Sequence, residues 1–250
     1  MPDKDLDLLL DTCLLAGKVM MESNAEMYRV EDTMSRIAAS SGDYRLVSYV
    51  TQTGLFVGLD RSSTIRMEQI TNRSTNLEKV VKVNSLSRNY ATHQLDLHEL
   101  YQELQKIDKE QFFFPKWLQV LSAAVISATI MVMFGGSMSD VPITFLIGGI
   151  GYIIYLVSLV FFRMRFLAEF LSSLFIGFAG IFCVRFGLGI SEDMIIIGCV
   201  MPLVPGVQIT NAIRDLLAGH YLSGVSRGTE AAVTATMIGF AIAFVFQLFT

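Results

Sequence analysis

The sequence predicts an α-helical polytopic membrane protein with five transmembrane spans, the fourth of them broken, and an N-terminal cytoplasmic α+β domain. Charge is unevenly distributed along the 250 residues: residues 1–114 hold 13 Lys/Arg and 17 Asp/Glu, whereas residues 115–250 hold six of each. The second part contains apolar segments of about 20 residues, the length that a helix needs to cross the hydrocarbon core of a bilayer. A charged first part and an apolar second part therefore predict two domains, 1–114 and 115–250.

The first domain is predicted to order its elements as two helices, three short strands and two further helices. Helical spacing of apolar residues marks the helices, and β-branched and aromatic residues between turn signals mark the strands. Asp96, followed three residues later by Glu99, predicts a capping box at the start of the last helix. The predicted helices cover residues 5–22, 25–39, 77–90 and 95–107, and the predicted strands cover residues 44–51, 55–59 and 64–70.

The second domain is predicted to contain five apolar spans, of which the fourth is interrupted by Pro202, Pro205 and Gly206. Proline removes a backbone donor and disrupts the hydrogen bond to the preceding turn, so the helix breaks there. Broken backbone at membrane depth persists only where protein or a water-filled cavity satisfies the freed groups. Many transporters build a binding site in this way. The predicted spans are residues 116–134, 141–162, 166–186, 191–219 with its break at 202–206, and 229–249.

Basic residues alternate between the two sides of these spans. Lysines precede the first span, the loop at 135–140 carries no Lys or Arg, and Arg163 and Arg165 follow the second span. Because Lys and Arg accumulate on the cytoplasmic side of a membrane protein, this pattern predicts a cytoplasmic N-terminus and a periplasmic C-terminus.

Polar side chains follow the break directly. Gln208, Asn211, Arg214 and Asp215 are spaced three or four residues apart, which places them on neighbouring faces of a helix. The guanidinium of Arg214 can hold both oxygens of a carboxylate, with further hydrogen bonds from Asn211 and Gln208. We therefore predict a binding site for a small carboxylate, in which Asp215 orients Arg214 or carries a proton. In the alternative interpretation, Arg214 and Asp215 lie at the cytoplasmic membrane surface and pair with each other or with neighbouring groups.

Two charged residues of the third span are candidates for coupling or gating. Glu169, near the cytoplasmic start of the span, could couple proton movement to transport, or it could pair with Arg165 at the interface. Arg185, near the outer end, could form an outer gate for anions, or its side chain could extend to the outer surface.

The fifth span carries four small residues, each four positions from the next. Such a stripe allows another helix to approach closely. That helix could belong to this chain, to a partner or to a second copy in a homo-oligomer. The four residues are Ala231, Ala235, Gly239 and Ala243.

Several classes of protein are not indicated by the sequence. The net charge of −4 gives no basic surface for a nucleic acid. The sequence contains no phosphate-binding P-loop, no GxSxG motif and no Cys/His ligand set. His93 and His98 lie in THQLDLHEL without a third ligand. We therefore predict no enzyme activity, no cofactor and no metal site.

Two stretches of the sequence resemble the threonine/serine exporter family, in its N-terminal-type half. One is Asn-Ala-Glu-Met-Tyr-Arg-Val-Glu-Asp at 24–32. The other begins with Pro-Leu-Val-Pro-Gly at 202–206 and continues with Asn211, Arg214, Asp215, Gly219 and Arg227. The resemblance covers essentially the whole chain. It implies secondary export of a small metabolite across the bacterial inner membrane, with Arg227 as a second candidate ligand for the substrate carboxylate.

The same resemblance implies a partner and a choice of substrates. Some members of the family fuse this half to a second, smaller membrane half, and its absence here implies a separate membrane subunit of the YjjB type. The implied substrate is succinate or a related dicarboxylate, with threonine and serine as the alternative. An alternative of another class is a membrane-anchored sensor or scaffold, whose spans only hold the first domain at the bilayer.

Overall fold

The computed structural model describes residues 3–42, 44–60, 64–110 and 114–249. Within these ranges the chain forms ten α-helices, three β-strands and two short 3-10 helices. The helices are α1 (Asp3–Glu22), α2 (Met27–Ser40), α3 (Leu77–Ala91), α4 (Leu97–Lys109), α5 (Lys116–Met133), α6 (Val141–Phe162), α7 (Arg165–Arg185), α8 (Glu192–Val200), α9 (Gly206–Leu217) and α10 (Tyr221–Phe249). The strands are β1 (Leu46–Val50), β2 (Gly54–Leu59) and β3 (Ile65–Gln69), and the 3-10 helices are Met138–Asp140 and Met201–Leu203.

The contacts within the chain divide it into two units. Unit 1 comprises Met1–Phe112 and Gln208–Gly228, and unit 2 comprises Phe113–Val207 and Thr229–Thr250. Residues 208–228, which follow the predicted break, therefore make most of their contacts in unit 1. The two domains expected at 1–114 and 115–250 stay a prediction.

Unit 1 is built around α1, one face of which carries apolar residues that are fully buried at helical spacing, among them Leu9, Cys13 and Met20. Gly17 marks the closest approach to this helix, since a Cβ there would lie 2.6 Å from Leu55 Cδ2 of β2 and 2.6 Å from Met34 Sδ of α2. Interiors pack at the density of organic crystals, so a side chain at residue 17 would force these elements apart.

The sheet of unit 1 is antiparallel in the order β1-β2-β3. Its register places Tyr49 opposite Phe56, and Phe56 opposite Met67. These side chains lie on the exposed face, whereas Leu55 and Val57 of β2 point to the opposite, buried face. The alternation follows from the two-residue period of a strand.

Unit 2 contains α5 to α8 and the C-terminal part of α10. Small residues bring α5, α6 and α8 close together. A Cβ on Gly148 would lie 2.3 Å from Ser127 Oγ, and a Cβ on Gly198 would lie 2.6 Å from Met131 Cβ. Asp140 is fully buried, and its carboxylate accepts the backbone N–H groups of Ile190 (2.8 Å) and Ser191 (3.2 Å). This acid therefore ties the loop before α6 to the loop before α8.

Four helices of the described residues, counting the 3-10 turn before α6 with that helix, are long and apolar enough to cross a membrane. The number is five if the pair Glu192–Leu203 and Gly206–Leu217, bent by 60° at its junction, counts as one span. Around the predicted break at 202–206, Pro202 lies inside the 3-10 helix Met201–Leu203, Val204 is extended, and α9 begins at Gly206.

The predicted helices and strands outside the fourth and fifth spans agree with the structure within two residues at each end. The capping box of α4 is confirmed, with both hydrogen bonds between Asp96 and Glu99 present. The fifth predicted span, 229–249, lies within a longer helix, because α10 begins at Tyr221; the start of the span itself stays a prediction. Gly219, with a φ of +86°, ends α9 and allows the next helix to begin at once.

Candidate functional site

Four of the predicted site residues contact the junction of α1 and α2 inside unit 1. We call this set the clamp cluster: residues 24–27 of the junction, with Asn211, Arg214 and Asp215 of α9 and Arg227 of α10. Asn24 has a φ of +64°, a left-handed conformation that Asn tolerates better than most residues. This turn directs the carbonyl groups of Asn24 and Ala25 towards donors from the later helices.

Arg227 is the most heavily bonded side chain of the clamp cluster. Its Nη1 donates to Asn24 Oδ1 and its Nη2 donates to the carbonyl of Ala25, both at 2.8 Å. Its Nε lies 3.1 Å from Asp215 Oδ2, and the two side chains are only 2% and 0% exposed. A buried ion pair of this kind is tolerated only because the additional hydrogen bonds replace water around both charges.

Asp215 and Asn211 continue the same contact. Asp215 Oδ1 accepts the backbone N–H of Met27, the first residue of α2, at 3.1 Å. The first amides of a helix have no partner within it, and a carboxylate there is favoured by the helix dipole. Asn211 Nδ2 donates to the carbonyl of Asn24 at 3.0 Å. Through Asp215, the distant helix α9 therefore supplies the acceptor for the Met27 amide, since the side chain of the N-cap residue Glu26 makes no capping hydrogen bond.

Arg214 differs from Arg227, because its side chain is 54% exposed. Its Nη1 pairs with Glu26 Oε1, while the other carboxylate oxygen of Glu26 accepts from Arg29 Nε at 2.7 Å. One carboxylate thus bridges two guanidinium groups. Burial opposes ionisation of Glu26, but the hydrogen bonds from Arg29 and Arg214 outweigh it and hold its pKa below the ordinary value.

Glu31 lies near the clamp cluster in a different electrostatic state. Its Oε2 is 3.7 Å from His220 Nε2, and the backbone N–H of His220 donates to the carbonyl of Asp215 at 2.8 Å. Burial raises the pKa of the Glu31 carboxyl, and the nearby His220 only partly opposes this.

A second polar cluster lies in unit 2. We call it the Glu169 cluster: Arg165, Glu169 and Ser173 of α7 with Glu230 and Thr234 of α10. Arg165 Nε donates to Glu169 Oε1 at 2.9 Å, and its Nη1 lies 3.4 Å from Glu230 Oε1. The predicted pairing of Glu169 with Arg165 is therefore present in the structure.

The remaining sequence candidates lie elsewhere. Gln208 is half-buried one turn before Asn211 on α9, and Pro205 is buried directly before this helix. Arg185, at the end of α7, donates to the carbonyl of Phe249 at 3.0 Å and lies 4.7 Å from the centroid of its ring. Among the described residues, no group of three or more His, Cys, Asp or Glu side chains is placed to hold a metal ion.

Sequence reasoning missed four contributors to these clusters. Residues 24–27 were indicated only by the family resemblance, and nothing in their local pattern indicated that they meet α9. Ser173, Glu230 and Thr234 were not singled out within the predicted spans. For Ser173, its position four residues after Glu169 was the available signal, since that spacing puts both side chains on one helix face.

The spans and the clusters define the class of the molecule as a multi-pass, mostly helical membrane protein with a small three-stranded sheet. Residues 11–249 match the model of one family, ThrE, described as "Putative threonine/serine exporter". The chain therefore belongs to the ThrE family. No curated protein and no solved structure matches it at a significant level.

Proposed function

We propose that this chain is a subunit of a secondary exporter of small carboxylate solutes and that Arg214 binds the solute carboxylate. The family match supports export, and one observation points to Arg214. Its guanidinium is half-exposed on the helix after the break, and it pairs with a carboxylate of the chain itself, Glu26. A solute carboxylate that replaces Glu26 keeps the charge-assisted hydrogen bond that Arg214 already makes.

Replacing the arginine's own carboxylate partner by a solute carboxylate is favourable for Arg214 and unfavourable for Arg227. Glu26 retains Arg29 as a partner when Arg214 leaves, so no charge is left uncompensated. Removing Arg227 from Asp215 would leave a fully buried carboxylate without its counter-ion, which is strongly destabilising. We therefore assign Arg227, Asp215 and Asn211 as positioning residues that hold α9 against the α1–α2 junction.

Two substrate classes have specific support. The family description favours threonine and serine, each of which carries one carboxylate. A dicarboxylate is supported by the second guanidinium, Arg29, beside Glu26, since one carboxylate of the solute can bind Arg214 while Arg29 keeps Glu26 and adds positive charge nearby. Succinate would be the substrate if the chain is a YjjP-like member of the family.

A separate, smaller membrane subunit of the YjjB type would complete the exporter in the bacterial inner membrane, with the N-terminus of this chain in the cytoplasm. The small-residue stripe of α10 supports a helical partner. Ala235, Gly239 and Ala243 are exposed, and a Cβ added at Gly239 would meet no atom of the described residues within 4 Å.

The test is efflux of labelled threonine, serine and succinate from cells that lack their own exporters. The chain is expressed alone and then with the smaller subunit. Efflux of one solute only in the presence of the subunit supports the two-component exporter and identifies its substrate. If none of the three solutes leaves the cells although both chains are inserted in the membrane, the exporter assignment is wrong and a sensor or scaffold becomes the better proposal.

Arg214→Ala tests the site itself. We expect efflux to fall about 10- to 100-fold, because a hydrogen bond to a charged group contributes about 1.5–3 kcal/mol. The matched control is Arg88→Ala, which removes an exposed arginine of α3 in the same unit. Normal efflux by a well-inserted Arg214→Ala variant would contradict the assignment.

A further inference from the structure

The Glu169 cluster contains buried polar atoms that lack hydrogen-bond partners. Glu169 is 1% exposed and Ser173 and Thr234 are 0% exposed. Glu169 Oε2, Ser173 Oγ and Thr234 Oγ1 each make no hydrogen bond of standard geometry. The Thr234 hydroxyl nevertheless lies close enough to the Glu169 carboxylate to interact with it. Ser173 follows Glu169 by four residues, the spacing that puts two side chains on one face of a helix. Leaving a buried polar atom unpaired costs about 1–3 kcal/mol, so these three atoms call for an explanation.

Arg165 is shared between two acids of the cluster, Glu169 at 2.9 Å and Glu230 at 3.4 Å. Tyr155 of α6 also faces Arg165 and Glu169. Of the two acids Glu169 is the buried one, with 1% exposure. Burying a charged group is costly, so a proton on Glu169 would remove a negative charge from the interior while Glu230 remains a partner for Arg165.

From this arrangement we infer that Glu169 is a proton-binding site, with Ser173 and Thr234 as the hydroxyl groups that receive or donate the hydrogen bond of its carboxyl. The proton adds to Oε2, the oxygen that Arg165 does not contact, and no other bond changes. A proton suits this site better than a metal cation. Among the described residues, the cluster offers three buried side-chain oxygens that make no hydrogen bond of standard geometry, whereas hard cations such as Mg²⁺ and Ca²⁺ take six or more oxygen ligands.

Protonation has a structural consequence for Arg165. While Glu169 is ionised, Arg165 lies between two carboxylates, at 2.9 Å from one and 3.4 Å from the other. Once Glu169 is neutral, Glu230 of α10 is the only ionised carboxylate of the cluster that attracts Arg165. The proton thus shifts the pairing of an α7 arginine towards α10, which gives an exporter a local element that responds to the proton gradient. This use of the site rests on the proposed function, but the binding of the proton does not.

Infrared difference spectroscopy of the full chain in lipid, between acidic and alkaline buffer, tests proton binding directly. We expect the wild-type protein to show the carbonyl stretch of a buried protonated carboxyl, and Glu169→Gln to lose it. Asp193→Asn, which removes an exposed acid at the start of α8, is the matched control and should keep the band. A band that persists in Glu169→Gln overturns the inference.

Two conservative variants keep the test valid if Glu169→Gln folds poorly. Thr234→Val and Ser173→Ala retain the carboxyl but remove one hydroxyl each, so they should displace the midpoint of the infrared titration without abolishing the band. An unchanged midpoint in both variants overturns the shared site. The inference also fails if Na⁺ at fixed pH and ionic strength raises the Tm of the wild type but not of Glu169→Gln, because a metal cation then occupies the site.

Transport is measured separately in proteoliposomes. If a solute is exported, Glu169→Gln should lose the dependence of transport on a pH gradient and retain exchange of labelled for unlabelled solute. If the wild-type protein moves none of the solutes tested, the proposed function fails, whereas the infrared result still decides whether Glu169 binds a proton.

Discussion

The clamp cluster of unit 1 and the Glu169 cluster of unit 2 both bury a carboxylate beside an arginine. In the clamp cluster, Asp215 meets a guanidinium and a helix amide, and Arg227 reaches two further acceptors. Asp215 Oδ2 faces Arg227 Nε at 3.1 Å as an ion pair, although this oxygen makes no hydrogen bond of standard geometry. In the Glu169 cluster, Glu169 Oε2 and the hydroxyl groups of Ser173 and Thr234 make no hydrogen bond of standard geometry. Asp215 is held between a guanidinium and a helix amide, which fixes one geometry, whereas Oε2 of Glu169 is the oxygen at which we place a proton. The same residue types therefore serve positioning in one unit and, by our inference, proton exchange in the other.

The largest expected effect comes from removing the buried Arg227–Asp215 ion pair of the clamp cluster. Arg227→Ala should destabilise the folded protein by about 3–5 kcal/mol, because it leaves Asp215 buried and unpaired. Arg214→Ala should cost only about 0–1 kcal/mol, as expected for an exposed ion pair. Thermal unfolding of both variants in the same detergent, followed by circular dichroism, measures the difference. Equal Tm shifts for the two variants would show that the buried pair has no special role in stability.

A matched pair of threonine substitutions compares one buried hydroxyl of each unit, Thr33 in unit 1 and Thr234 in unit 2. Thr33 Oγ1 of unit 1 donates to Asn84 Oδ1 at 2.9 Å, so Thr33→Val should destabilise by about 1 kcal/mol. Thr234→Val replaces a buried hydroxyl that makes no hydrogen bond of standard geometry in the structure with a methyl group of similar size. It should therefore destabilise the protein less than Thr33→Val does. Thermal unfolding compares the two Tm shifts, and a larger loss for Thr234→Val would contradict the comparison.

The smallest expected effect concerns acid stability. The pKa of Glu26 is lowered in the folded protein from its ordinary value of 4.5, so the folded state binds fewer protons than the unfolded state. Ionised Glu26 therefore stabilises the fold above that value, and this contribution is lost as the pH falls through the lowered pKa. Glu26→Gln should flatten the decline of Tm with falling pH.

Glu31→Gln is the matched control for this measurement, with the opposite sign. Burial raises the pKa of Glu31, so the folded protein favours its protonated form and stability decreases as the pH rises through that raised value. Removing the charge should raise the Tm at neutral pH relative to acidic pH. Parallel Tm profiles for the two variants would contradict both assignments.

Local signals were sufficient for most of the fold. The capping box at Asp96 and Glu99 and the lengths of the spans before the break depend on neighbouring residues, and the sequence predicted them correctly. The helical turns of α10 before the predicted fifth span were not predicted, because His220 and Arg227 were interpreted as loop residues preceding the span. In the structure Arg227 is a helical residue, buried through its bonds to the α1–α2 junction. Contacts with residues distant in sequence therefore stabilise a helix where the local polarity indicated a loop.

The composition of the site could be predicted only in part. The spacing of Asn211, Arg214 and Asp215 indicated a common helix surface, but the different exposure of Arg214 and Arg227 depends on which acceptors each one meets. Those acceptors lie in residues 24–27, and no periodicity in the sequence connects them with α9. The two stretches that carried the family resemblance turn out to be the two sides of one contact.

The α1–α2 junction has a consequence for the biosynthesis of this protein. Its bonds to Asn211, Asp215 and Arg227 join residues that are 187 to 203 positions apart in the chain. When the N-terminal segment leaves the ribosome, the partners that cap α2 and occupy the carbonyl groups of Asn24 and Ala25 have not been translated. Unit 1 therefore reaches its final state only after α5 to α9 and the start of α10 have been made. A polypeptide that stalls or is cut within the spans exposes an unfinished N-terminal segment, which a protease can recognise.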